Sequence, residues 1–241
     1  MVNNFELIRF VSDLELAKTA AAGWLDAVEA INQGAATYCV ALSGGRIARQ
    51  FFAELASLAK ARRASLDRVH FFWSDERCVP PTDPESNFHL AREAFFAPVG
   101  IAERQIHRVR GEEAPESAAR KAEEELRRIA ACDSSGQPIL DLILLGMGED
   151  GHVASLFPGE LEELMASQAV YRAVKAIKPP PRRVTLGYPA IAAAREAWVL
   201  ASGPGKEIAL RLSVAPNGST PLARVLKLRK HTRIFTDIAV K

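Results

Sequence analysis

Apolar residues in this chain fall into short unbroken runs that alternate with longer periodic stretches. The runs are residues 37–42 (TYCVAL), 69–73 (VHFFW), 140–145 (LDLILL) and 197–201 (AWVLA). Each run leads into a short polar or glycine-bearing loop. These loops are Ser43-Gly44-Gly45, Ser74-Asp75-Glu76-Arg77, the segment from Gly146 to His152, and Ser202-Gly203-Pro204-Gly205. The stretches between them, such as DLELAKTAAAGWLDAVEAI, RIARQFFAELASLAKA, PESAARKAEEELRRIAA and GKEIALRLSV, repeat apolar residues at helical spacing. Unbroken runs are the mark of strands covered on both faces. Alternation with helices predicts an α/β fold of three layers, a mostly parallel sheet flanked by helices, Rossmann-like in plan.

In such a sheet, ligands bind beyond the carboxyl ends of the strands. The four loops, although remote in sequence, are therefore expected to meet at one crevice. Residues 177–183 (IKPPPRR) read as a stiff ordered connection, not a boundary, so residues 1–241 are expected to form a single domain.

Composition narrows the picture. The 241 residues are 48% hydrophobic and 25% charged, with a net charge of +2. This balance supports a sizeable core and gives no electrostatic case for a nucleic-acid partner. The dense basic run Lys227, Arg229, Lys230 and Arg233 reads as a solvated face. Cys39, Cys78 and Cys132 are isolated singletons with no metal-like grouping, as expected in a reducing compartment. The opening MVNNFELIRF lacks a signal-peptide pattern, and no apolar stretch approaches the ~20 residues that span a bilayer. A cytoplasmic protein without a membrane partner is expected.

The segment LILLGMGEDGH has the spacing G-x-G-x-x-G after a strand, as in dinucleotide sites. Three features count against a nicotinamide cofactor. Glu149 and Asp150 would face a pyrophosphate with like charge. Pro158 follows Gly151 too soon for the helix that the fingerprint needs. The later region MASQAVYRAV offers no acid for a ribose. The loop suits acid–base work better, because Asp150 and His152 flank Gly151 and a carboxylate there can orient an imidazole. The alternative is a satisfied structural histidine. His70, His89, His107 and His231 lack this setting and read as structural or surface groups.

The remaining loops suggest an anion. Ser43-Gly44-Gly45 opens a helix whose free N–H groups attract negative charge. Lys206 stands at another helix start, where a cation is unfavourable for the helix dipole. Arg183 sits just before the apolar-rich VTLGYPAIAAA and Arg77 in a loop with Asp75 and Glu76, although each could simply pair with a carboxylate.

At these residues the chain resembles a known family. ALSGGR, FFWSDERCVPPTDPESNFHLAREAFF, DLILLGMGEDGHVASLFPG and RVTLGYPAIAAAREAWVLASGPGKEIAL occur in this order and are similar to segments of the 6-phosphogluconolactonases of the pentose phosphate pathway. The resemblance implies a sugar-phosphate isomerase/deaminase type of α/β domain. It implies hydrolysis of 6-phospho-D-glucono-1,5-lactone to 6-phospho-D-gluconate, with no metal and no organic cofactor. It makes His152 the general base with Asp150 beside it. Ser43, Gly44, Gly45, Arg77, Arg183 and Lys206 would line the phosphate and sugar site, supported by Asp75 and Asn87.

The loop departs from the family's usual Ser-Gly-Gly-Ser-Thr-Pro: here Arg46, Ile47 and Ala48 follow Gly45. Arg46 is a candidate charged replacement for the missing hydroxyls. The tail RVLKLRKHTRIFTDIAVK also departs, leaving its last helix or strand open. The expected partner is a small phosphorylated sugar lactone, acted on by a monomer or weak homodimer. The rival on the same scaffold is a glucosamine-6-phosphate deaminase or isomerase, whose members typically follow the histidine with Asn-Glu-Pro. Here Ser155-Leu156-Phe157-Pro158 supplies no acid. A rival from another class is a non-catalytic sugar-phosphate sensor.

Overall fold

The four apolar runs become adjacent strands. A computed structural model describes residues 4–31, 34 and 37–239. In chain order its elements are β1 (Glu6–Arg9), α1 (Asp13–Ile31), β2 (Tyr38–Leu42), α2 (Arg46–Arg62), β3 (Val69–Trp73), β4 (Asp75–Arg77), α3 (Asn87–Ala91), α4 (Ala97–Val99), α5 (Pro115–Ile129), β5 (Leu142–Gly146), α6 (Glu162–Met165), β6 (Tyr171–Lys175), β7 (Arg182–Leu186), α7 (Tyr188–Ala193), β8 (Glu196–Ala201), α8 (Glu207–Val214), α9 (Pro221–Leu228) and β9 (Arg233–Thr236). A π-helical turn, Arg92–Phe96, joins α3 to α4.

Among the described residues, six strands form one sheet in the order β1-β9-β8-β5-β2-β3, and every neighbouring pair is parallel. All five residues of β2 are buried, although successive side chains point to opposite faces, so the sheet is covered on both sides. Helices α1 and α2 pack on each other, and α9 packs on α7 and α8. Beneath α1 and α2, Trp24, Phe52, Phe71, Phe95 and Phe96 interlock with ring centroids 5.0–6.4 Å apart. Each such buried side chain contributes roughly 1.5–3 kcal/mol.

A second sheet, in the order β4-β7-β6, is antiparallel and was not apparent from the hydrophobic pattern. Ser74, between β3 and β4, fixes it to the first. Its N–H and hydroxyl both donate to the Leu42 carbonyl at 2.7 and 3.0 Å, and its own carbonyl accepts from Leu186 N–H at 2.8 Å. The Tyr171 hydroxyl adds a bond to the Trp73 carbonyl at 2.6 Å. The small sheet thereby lies across the carboxyl ends of β2 and β3. The stiff segment 177–183 is the connection between β6 and β7 and runs on into β7 itself.

The tail resolves into α9 and β9, with β9 inserted between β1 and β8. Residues 240–241 of that tail and residues 1–3 of the opening lie outside the described residues. The reading of the basic run as a solvated face needs correction at Arg229, which is 4% exposed. Its guanidinium donates to the carbonyls of Ile191, Ala192, Ala194 and Arg195 at 2.6–3.3 Å, satisfying the open end of α7. Among the described residues no helix is long and apolar enough to cross a membrane.

Candidate active site

Chain topology gathers the selected residues. A crevice of about 160 Å³ is lined by Ser43, Gly44, Gly45, Arg46, Asp75, Arg77, Asn87, His152, Arg183 and Lys206. They come from the loops after β2, β5 and β8, from the starts of α2 and α3, and from β4 and β7 of the small sheet. Asp150 is the one selected residue that does not line the wall; it stands behind His152.

The glycine loop after β5 shapes itself around that histidine. Gly148 N–H donates to the His152 carbonyl at 2.9 Å, and Gly151 N–H to the Gly148 carbonyl at 3.1 Å. Gly151 has φ 79, the left-handed region that favours glycine. A Cβ on Gly148 would lie 2.1 Å from the imidazole of His152, so only glycine leaves room for the ring. These glycines serve the histidine, and no helix starts at the loop: the next is α6. Asp150 Oδ1 accepts from the His152 backbone N–H at 3.1 Å and lies 2.5 Å from Nδ1. That contact assigns the proton to Nδ1 and leaves Nε2 as the acceptor. Burial pushes the Asp150 carboxyl up, but the hydrogen bonds from His152 outweigh it and hold it below the usual range.

Around this imidazole stand cations, three of them without a direct ion-pair partner. Arg46, Arg183 and Lys206 form no ion pair among the described residues. Arg183 is 6% exposed, and its guanidinium donates to the backbone carbonyls of Pro180 and Lys178 at 3.0 and 3.3 Å. Burial and the neighbouring Arg77 both lower its pKa. Arg183 and Arg77 are directly opposite in the β4–β7 register, an unfavourable like-charge placement. Arg77 does find a carboxylate, Glu85 at 3.3 Å. Lys206 is the N-cap of α8, and its pKa is lowered by burial and by Arg46. Arg46 is the first residue of α2, and its guanidinium lies against Gly203, where a Cβ would come 1.8 Å from Nη2. Gly45 caps α2 without a side-chain acceptor, which leaves the helix's first N–H groups open. A buried arginine, a half-buried lysine, an exposed arginine and open N–H groups facing one small cavity make a place for a compact anion.

A family model described as glucosamine-6-phosphate isomerases/6-phosphogluconolactonase matches residues 12–235. The chain belongs to that family. A 6-phosphogluconolactonase of Treponema pallidum is 43% identical over 190 residues, 76% of this chain and 75% of that protein. One from Mycobacterium tuberculosis is 38% identical over 169 residues, 68% of each chain. The solved 6-phosphogluconolactonase of Trypanosoma cruzi has a TM-score of 0.83 at 25% identity, covering 98% of this chain and 96% of that one.

The family match spans every crevice residue; beside Asp75 and Asn87, which sequence reasoning named as supports, it takes in Ser155 and Glu76, which that reasoning passed over. Asp75 is buried and accepts from Ser155 Oγ at 2.7 Å and Asn87 Nδ2 at 3.3 Å, tying three segments of the site together. A Cβ on Gly44 would stand 1.8 Å from Asn87 Oδ1, so the glycine admits the asparagine. Glu76 accepts from the backbone N–H groups of Arg77, Asn87 and Phe88 and from Ser86 Oγ at 2.7–3.1 Å. Burial pushes its carboxyl up to about 7, against those backbone donors. Glu76 sits in the same acidic tetrapeptide as Asp75; nothing in its spacing tells a buried anchor from a lining group. Cys78 is a half-buried thiol pushed up to about 11 by burial, with Arg182 opposing, which disfavours the reactive thiolate.

Proposed function

We propose that this protein hydrolyses 6-phospho-D-glucono-1,5-lactone to 6-phospho-D-gluconate, the lactone-opening step of the oxidative pentose phosphate pathway. The observation that carries the reading is the His152 imidazole, held by Asp150 through Nδ1 and turning a free Nε2 to a crevice ringed by unpaired cations. Arg183, Lys206, Arg46 and the open start of α2 receive the phosphate, and Arg77 helps line the sugar. This remote grip places the lactone carbonyl beside the histidine. Neutral His152 accepts a proton at Nε2 as water attacks C1. Asp150 keeps the ring oriented and favours the imidazolium as it forms. Loop N–H groups or a crevice arginine stabilise the developing oxyanion. The C1–O5 ring bond then breaks, and the departing ring oxygen takes the proton from the imidazolium. A lactone is an activated ester, so no covalent enzyme intermediate is needed.

The deaminase reading lacks an acid after His152: Val153, Ala154, Ser155 and Leu156 are buried and Phe157 is aromatic. The crevice draws on residues from Ser43 to Lys206, which supports a single functional domain; a monomer or weak homodimer is the proposed assembly. The free thiols of Cys39, Cys78 and Cys132 fit a cytoplasmic location. The test is hydrolysis of freshly generated lactone measured against its spontaneous opening. Acceleration above that control is expected. Ammonia release from glucosamine 6-phosphate, with no acceleration of lactone opening, would overturn the reading.

A further inference from the structure

After His152 the chain turns back on itself. Gly151 and Ala154 both have positive φ, 79 and 50. Ala154 has a Cβ and holds this conformation only because its surroundings enforce it. Val153 forms bridges with Met147 and with Leu156, and Ser155 is tied to Asp75 at 2.7 Å. This pinned loop delivers Phe157 to the site. Its ring centroid lies 4.9 Å from that of His152 and 5.7 Å from the guanidinium carbon of Arg183. One aromatic ring therefore touches both the imidazole that faces the water and the arginine that faces the anion.

We propose that Phe157 is a positioning residue for both groups. Resting on the lactonase reading above, it sets the plane of the His152 ring and the height of the Arg183 guanidinium against one rigid reference. Asp150 holds the His152 ring at Nδ1, and Gly148 lies close to Cε1 and Nδ1. Packing against Phe157 adds a restraint on the ring plane from a third residue. Arg183 is held along one edge by backbone carbonyls, and the aromatic face holds its plane through a cation–π contact. Distance from base to carbonyl is then a property of one side chain that touches neither water nor substrate.

The test uses Phe157→Leu, Phe157→Ala and Phe157→Tyr, with folding followed by thermal melts. Phe157→Ala is expected to lower kcat by up to about 10²-fold, the scale of a misplaced reacting group. It is expected to weaken binding of inorganic phosphate by about two- to fivefold, the scale of an exposed cation–π contact. Phe157→Tyr should restore both values, and Phe157→Leu, which keeps bulk but no π face, should not restore phosphate binding. The kcat effect should vanish in a His152→Ala background and the phosphate effect in an Arg183→Ala background. Losses that stay additive in both backgrounds, or a full rescue by leucine, would overturn the proposal. Phosphate binding needs no turnover, so the Arg183 arm reports on Phe157 even if the protein proves not to open lactones.

Discussion

His152 and His107 are each braced through Nδ1 by a carboxylate, at 2.5 Å from Asp150 and 2.8 Å from Glu125. They differ in what holds the other nitrogen. His107 Nε2 is 2.8 Å from His70 Nδ1, and the ring is stacked on Phe72 and His70; that side chain is 6% exposed. His152 Nε2 is free, and its side chain is 22% exposed at a crevice. Surrounding charges differ in the same way. The cleft beside His107 is the larger, about 590 Å³ against 160 Å³. Yet Arg108, Lys121 and Arg128 there each meet a glutamate at 2.7–2.8 Å. Three cations of the smaller crevice meet none. The contrast favours the smaller crevice as the proposed site, on an imidazole with a spare nitrogen beside cations that, among the described residues, form no ion pair.

The comparison breaks most sharply at the two histidines. His152→Ala should lower kcat/KM by about 10²–10⁴-fold, the worth of general-base assistance, with little change in thermal midpoint. His107→Ala should do the reverse: activity unchanged per folded molecule and stability lower by about 1–3 kcal/mol, as for loss of a buried, hydrogen-bonded ring. Initial rates on fresh lactone and thermal melts of both variants check this. Equal loss of activity in the two would mean that a free Nε2 is not what distinguishes them.

Sequence showed one member of that pair and not the other. Asp150 and His152 are two residues apart, so their contact is local and legible. Glu125 comes from α5 and His107 from the connection between α4 and α5, and no short-range pattern joins them. The same limit governs the fold. Strands β2, β3, β5 and β8 are apolar runs and stand out. Strands β4 (DER), β6 (YRAVK) and β7 (RRVTL) carry charge, and β4 has only three residues and pairs with β7 about a hundred positions away, whereas β6 and β7 pair locally. Arg183 therefore read as a residue ahead of an apolar stretch, whereas it lies within β7, facing Arg77 across a ladder. Arg229 read as solvated because composition cannot show that α7 ends where its guanidinium arrives.

The second break concerns the cations, with a smaller expected effect. Arg183→Ala should raise KM by about 10- to 100-fold, the range for losing charge-assisted hydrogen bonds to an anion. Its effect on kcat should be weaker than that of His152→Ala. Lys121→Ala, in the larger cleft, should leave KM unchanged, because Lys121 already answers to Glu113 at 2.8 Å and an exposed pair of this kind carries little energy. Steady-state kinetics on the two variants decide it. A KM rise on losing Lys121 would show that the larger cleft takes part in binding.

The smallest effect sharpens the comparison through pH. Burial lowers the pKa of both His70 and His107 below the ordinary 6.5, and their mutual repulsion lowers that of His70 further, while Glu125 opposes the shift. The folded protein therefore binds fewer protons at this pair than the unfolded chain does. By linkage, stability contributed by the pair is fully present above pH 6.5 and is lost as pH falls through the lowered folded-state values. Acidification should thus lower the thermal midpoint in a shallow slope. Replacing both residues, His70→Asn with His107→Gln, keeps amide hydrogen bonding and removes the titration, so the slope should flatten. Lactonase rates of the same double variant should keep the wild-type pH profile, acid limb included, since neither replaced residue lines the proposed crevice. A midpoint that falls equally in both proteins would assign the acid sensitivity to other groups. An activity limb that moved with the double replacement would couple the two imidazoles that the geometry holds apart.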